Sequence, residues 1–231
     1  MCGRFTLAAD INKLAAVFYL RENIFSHTPR YNIAPGQEIA VITKNPGGRE
    51  ISLMKWGLIP HWAKDKRTGY KMINARAETI DNKPAFKGPF LHRRCLIPAD
   101  GFYDWKKLNG EKEPIYITLP GRTLFAFAGI WNCWAAPGGE AVYTCSIITT
   151  PSNEYIRAIH DRMPVILDRE QEHQAWLEMD EPVSLKKMLR PYQGKMTVYP
   201  VSKLVNSPKT DSRQLIEPHF PNDQCTIEEL T

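Results

Sequence analysis

Apolar residues in this chain recur mostly at a period of two, in short runs broken by Gly, Pro and Asn. That is the pattern of many antiparallel strands, not of a helical bundle. Residues 2–7 read as a strand carrying Phe5 and Leu7. Residues 38–44 and 50–56 alternate on either side of Asn45-Pro46-Gly47-Gly48 and predict a hairpin. Residues 95–105 predict a buried strand that turns at Asp100-Gly101. It resumes with Phe102 and Asp104 on one face, Tyr103 and Trp105 on the other. Asn109-Gly110 marks a further hairpin turn, and 114–119, 123–131, 141–149 and 196–201 read as strands.

Helical spacing occurs in a few places. Asp10 is a fair N-cap for Ile11, Leu14, Ala15 and Phe18. Pro151 at a first helical position predicts a helix of two or three turns ending near His160. Residues 169–179, opened by Asp168, place Ala175, Trp176 and Met179 inward, and Ser184 caps another short helix. Residues 31–36 and 84–90 read as loops, 56–62, proline-broken, as no regular element throughout, and His92-Arg93-Arg94 as a solvated basic run. No linker or composition shift divides the chain. The expectation is therefore α+β: a single domain over 1–231 with a largely antiparallel, barrel-like β core, flanking short helices and a loose polar tail at 219–231.

Composition narrows this. With 231 residues, 43% hydrophobic, the chain can bury a proper core. A net charge of +5 favours a polyanion without demanding one. Five cysteines, an odd number without C-x-x-C pairs, argue against a disulfide framework or structural zinc and predict free thiols in a reducing cytosol. No signal peptide and no bilayer-crossing run are expected.

The candidate chemistry begins at Met1-Cys2-Gly3-Arg4. Removal of Met1 would leave Cys2 with its amine and thiol on neighbouring carbons, a 1,2-aminothiol suited to an aldehyde: imine first, then a five-membered thiazolidine. Reference pKa values of about 8 and about 8.5 leave both groups partly nucleophilic near neutrality. A cysteine here can equally be a small buried hydrophobe. Gly3 permits close approach or positive φ, and Arg4 is a cation suited to phosphate. Trp62, beside cations, offers a stacking face or pins a loop. Asn74 and Arg76 stand among small neighbours that leave room for a ligand, though Arg76 could simply pair with Glu78. Asp104 shares a face with an aromatic and is a candidate acid–base group, or a strand-end cap. His160 can shuttle protons, oriented by Asp161 or Arg162, or serve as an ordinary loop residue.

Taken in order, Met1-Cys2-Gly3-Arg4-Phe5, 31–36 (YNIAPG), 56–60 (WGLIP), 74–79 (NARAET), 98–105 (PADGFYDW), 128–131 (AGIW) and 160–164 (HDRMP) resemble the SRAP family, the SOS response-associated peptidases. The resemblance spans nearly the whole chain. It implies a compact α+β fold with a barrel-like core and a basic DNA channel. It also implies shielding of abasic sites in single-stranded DNA, including at replication forks, through a thiazolidine on the N-terminal cysteine, and self-removal of the initiator Met. No cofactor or metal is implied, and a monomer without membrane contact is expected. By position, Cys2 matches the nucleophile, Asn74 the asparagine that bonds the opened sugar, and His160 the histidine that opens it and reverses the crosslink. Arg4 and Arg76 match phosphate-binding arginines. Pro35, Trp62, Trp105 and, more loosely, Thr149 match DNA contacts. One departure stands out: the family usually has Glu where this chain has Asp104, which withdraws the carboxylate by about 1.5 Å. Two other readings remain, a cysteine peptidase using Cys2, His160 and Asp104, and a non-covalent DNA-binding module.

Overall fold

The computed structural model describes residues 2–21, 27–108 and 110–220. Met1, Asn109 of the expected turn, and residues 221–231 of the expected tail lie outside them. The strands are β1 (Phe5–Leu7), β2 (Arg30–Ile33), β3 (Glu38–Asn45), β4 (Gly48–Trp56), β5 (Asn74–Arg76), β6 (Arg94–Ala99), β7 (Gly101–Leu108), β8 (Glu111–Thr118), β9 (Phe125–Ala135), β10 (Ala141–Pro151), β11 (Arg162–Pro164), β12 (Ile166–Leu167) and β13 (Thr197–Pro200). The helices are α1 (Ile11–Phe18), α2 (Pro84–His92), α3 (Glu154–Arg157), α4 (Glu170–Glu178) and α5 (Pro182–Met188).

Pairing runs β10–β4–β3–β6–β9 and returns from β9 to β10, so these strands close into a barrel. Closure removes the exposed edges that an open sheet must protect. A second sheet, ordered β13-β8-β7-β1-β2, lies against it. The alternation expected after Gly101 holds. Phe102 enters the main core, where Phe5 meets Trp56 and Phe127 edge-on at 5.3 and 5.7 Å and Phe127 meets Phe102 at 5.9 Å. Tyr103 joins Tyr116, Val201, Val205 and Leu215 in a separate cluster, with Trp105 packed on it. Asp10 caps α1 as expected, accepting from the Lys13 N–H at 2.9 Å, and Leu14 and Phe18 are buried.

Several expectations are corrected. Tyr31–Ile33 belongs to β2, not to a loop. Residues 84–90 form most of α2: Pro84 takes the first helical position, where no N–H is needed, and buried Phe90 packs on Trp176. The helix near His160 starts at Glu154 and has one turn, because Asn153 caps it and Pro151 still belongs to β10. Glu181, not Ser184, caps α5.

The basic run is corrected too. Arg94 is buried and donates to the carbonyls of Trp176, Phe90, Leu91 and Met179, tying α2, β6 and the end of α4 together. Truncation would strip these buried acceptors of their donor, at about 1–3 kcal/mol for each one left unsatisfied. Arg94→Ala is therefore expected to cost about 3 kcal/mol or more in urea denaturation. A loss near zero would mean the carbonyls find other donors.

Candidate active site

Asp100 pins the N-terminal strand. Its carboxylate accepts from the Thr6 hydroxyl and from the N–H groups of Ala8 and Ala9 at 2.5 and 3.2 Å. Gly101 is required beside it: a Cβ there would lie 2.1 Å from the Tyr116 hydroxyl, which itself sits 2.8 Å from Thr6 Oγ1. Phe5 then pairs with Phe102, and the Tyr103 N–H donates to the Arg4 carbonyl at 2.9 Å. Continuing that antiparallel register brings Gly3 and Cys2 alongside Asp104 and Trp105. Gly3 gets there without a positive φ.

Cys2 is fully buried. Burial pushes its thiol up to about 12, and the neighbouring Asp104 charge adds in the same direction. With Met1 attached, an apolar surrounding disfavours the thiolate; the expectation for the liberated 1,2-aminothiol concerns the processed chain. Asn74 Nδ2 donates to the Cys2 carbonyl at 2.9 Å. Its Oδ1 is buried with no hydrogen-bond partner among the described residues. A buried orphan acceptor costs about 1–3 kcal/mol, so this oxygen is suited to a donor brought by a ligand.

Asp104 is 5% exposed, and its Oδ1 accepts from the Trp105 N–H at 2.8 Å. Burial raises its carboxyl above the ordinary range, and His160 is close enough to work against that rise. Asp104, Trp105 and His160 line one cleft of about 550 Å³ together with Lys107, Lys112 and Asn206.

His160 Nδ1 lies 3.0 Å from the Arg162 N–H and 2.6 Å from Asp161 Oδ1. A lone pair at Nδ1 satisfies the first contact, and a proton on Nδ1 the second. The Arg162 N–H is fixed backbone, whereas Asp161 is 84% exposed and screened by water. The backbone contact sets the orientation, with a lone pair at Nδ1 and Nε2–H left as a donor.

Strand β10 holds both arms of the site. Its residues 141–147 pair with β9, and Thr144 and Cys145 with β4, in the barrel wall, whereas Ile147–Thr149 pair with β5 and Thr149–Pro151 with β11. Arg162 bridges the arms: it forks onto Glu78 at 2.5 and 3.0 Å and donates to the Thr149 carbonyl at 2.6 Å. Sequence reasoning placed Glu78 beside Arg76 and missed this clamp; the only hint was an Arg directly after His160-Asp161.

The remaining expected contacts are scattered. Arg4 is half-buried: Nη1 donates to Asn32 Oδ1 at 2.6 Å and to the Val205 carbonyl at 2.7 Å, and the guanidinium sits 5.8 Å from the Trp105 ring centroid. Asn32 itself donates to the carbonyls of Ser207 and Thr210 at 3.0 and 2.6 Å. Asn32 and Asn206 are organising residues that pattern alone did not reveal, because their partners (Arg4 and distant carbonyls for Asn32, the Trp105 indole for Asn206) lie far along the chain. Arg76 is exposed and makes no ion pair among the described residues. Thr149 is fully buried, with Oγ1 3.2 Å from Arg162 Nη2, so the expected channel contact is an internal support. Pro35 is half-buried in the turn before Gly36. Trp62 is 52% exposed and lines a different, smaller cleft with His61, His92 and Arg93.

Comparison with known proteins gives a consistent picture. The SOS response associated peptidase (SRAP) family matches residues 1–208. The abasic site processing protein YoqW of Bacillus subtilis (strain 168) is 47% identical over 225 residues, covering 95% of this chain and 100% of its own. The abasic site processing protein HMCES of Gallus gallus is 33% identical over 233 residues, covering 87% of this chain and 68% of its own. A crystal structure of a protein from Bacteroides thetaiotaomicron has a TM-score of 0.85 at 28% identity, covering 95% of this chain and all of that one.

Proposed function

The chain belongs to the SRAP family, and from that premise we propose that it processes abasic sites in single-stranded DNA by covalent capture on Cys2. The observation that supports this reading is a chain of neighbours: Asn74 bonds the Cys2 carbonyl, the Asp104 charge acts on the Cys2 thiol, and Asp104 and His160 line one cleft. The names of its relatives, abasic site processing proteins, supply the substrate class.

Met1 is removed first, by the chain itself in keeping with the family's peptidase label or by a cellular aminopeptidase. Phosphates bring most of the affinity, with Arg76 free to hold one, so binding weakens with salt. A missing base lets the backbone kink and offers C1′ of the sugar. Asp104, whose protonated form burial favours, gives a proton to the ring oxygen O4′, the proton of the C1′ hydroxyl passes to water, and the C1′–O4′ bond breaks to leave the aldehyde, with His160 Nε2–H donating a hydrogen bond to the sugar. The Cys2 amine attacks the carbonyl and water leaves, giving an imine. Sulfur acts second, once the imine holds C1′ beside it. Its proton passes through Asp104 as sulfur bonds to C1′ and the imine nitrogen takes up a proton. No redox change is involved, and closure is intramolecular. Asn74 Oδ1 accepts from a hydroxyl of the opened sugar or from the ring N–H. The closed ring withdraws the imine from β-elimination and so protects the strand.

A denaturing gel with abasic single-stranded DNA separates this reading from the others. A band that persists on heating and is lost in Cys2→Ala supports capture. Turnover of an unrelated peptide would instead mark a peptidase acting in trans, and salt-reversible binding alone would mark a non-covalent module.

A further inference from the structure

The cleft beside Asp104 and His160 carries cations that nothing in the fold uses. Lys107 and Lys112 stand directly opposite each other on β7 and β8, and both line the cleft. The preceding charged pair, Lys106 with Glu113, is of opposite sign. Like charges directly opposite in an antiparallel pair are destabilising. Neither lysine has an ion-pair or hydrogen-bond partner among the described residues, whereas Lys203, in the 3-10 turn Lys203–Asn206, is paired with Glu111 of β8 at 2.5 Å. Strand alternation puts Lys107 on the face of Trp105. The Trp105 indole is held in place, donating from Nε1 to Asn206 Oδ1 at 2.7 Å, and Asn206 keeps its Nδ2 hydrogens for the cleft it lines.

We propose that Lys107, Lys112 and Asn206 form a seat for a backbone phosphate of a DNA strand that stacks a base on Trp105, gripping the strand to one side of the captured sugar. An anion between the two ammonium groups turns their repulsion into shared attraction. This rests on the single-stranded DNA reading above but not on covalent chemistry.

The test uses the Cys2→Ala chain and an oligonucleotide carrying a tetrahydrofuran abasic analogue, which cannot form an aldehyde. Affinity is followed by fluorescence anisotropy across a salt series. Adding Lys107→Glu and Lys112→Glu is expected to weaken binding by about tenfold or more. It should also flatten the salt slope by about 0.7, the contribution of the one single-strand phosphate held between the two lysines. Arginine at both positions should restore binding. A control reversal of the exposed Lys13 and Lys187 makes the same change in net charge and should matter far less. Ending the oligonucleotide at the analogue on one side, and not on the other, should erase the difference between the parent and the Lys107/Lys112 variant. Equal weakening by the two charge reversals, an unchanged salt slope, or a difference that survives truncation on each side would overturn the seat. Because no bond forms in this assay, failure of the Cys2-bearing chain to crosslink would be a separate result.

Discussion

With Cys2 replaced by alanine, the protein freed of Met1 keeps an amine but has no thiol, and its reaction with abasic single-stranded DNA stops at the imine. The heat-stable adduct is expected to fall by about 100-fold or more, because closure by a tethered thiol draws on a proximity advantage that no external thiol matches. Borohydride should still trap the imine on this variant. That second arm distinguishes lost ring closure from lost binding or misfolding. The structure adds a reason for caution in choosing the replacement: Cys2 is fully buried, so alanine, smaller and apolar, is preferable to a longer or charged residue. An undiminished heat-stable adduct in Cys2→Ala would assign the linkage to another nucleophile.

Asp104→Asn should separate catalysis from stability. Asparagine keeps the shape and can still accept from the Trp105 N–H, but it cannot transfer a proton. Crosslinking is expected to slow by about 100-fold to 10,000-fold, the usual worth of a positioned acid–base group. The pH dependence follows from the direction of the shift. Burial raises the folded-state pKa of Asp104 above its unfolded value. Between those two values the unfolded chain gives up a proton that the folded chain retains, so stability falls as pH rises through this window. Asparagine removes that penalty, and Asp104→Asn should melt higher than the parent near neutrality while reacting more slowly. The parent's rate should also decline as pH rises through the folded value, and this limb should vanish in the variant. Asp104→Glu restores the family's usual side chain and should change the rate of formation or reversal. If neither variant alters any rate, Asp104 is not the acid–base group.

Local pattern was enough for much of the architecture. The 38–56 hairpin, the Asp10 cap and the Phe102/Tyr103 split all follow from interactions between near neighbours, so a single sequence displays them. What escaped was set by distant packing. Helix α2 contains Gly88 and Pro89, which read as loop; buried Phe90 and the Arg94 network overrule them. Arg94 looked solvated because a basic triplet usually is, and its carbonyl partners lie as far away as Met179. Cys2 was legible as a nucleophile by position, but its burial, and hence its raised thiol, came only with the fold. Thr149 was placed on the channel by likeness and lies inside, supporting Arg162. The Glu78–Arg162 clamp joins residues 84 positions apart and has no local signature.

The account stands most directly on the mass of the intact protein, measured as purified and again after incubation with an abasic single-stranded oligonucleotide. It predicts a starting species lighter than the full chain by one methionine residue. It then predicts a product equal to that species plus the oligonucleotide minus one water, since imine formation releases water and thiol addition releases nothing. A chain that retains Met1 in the cell, or one that loses it yet gains no oligonucleotide mass, would contradict it.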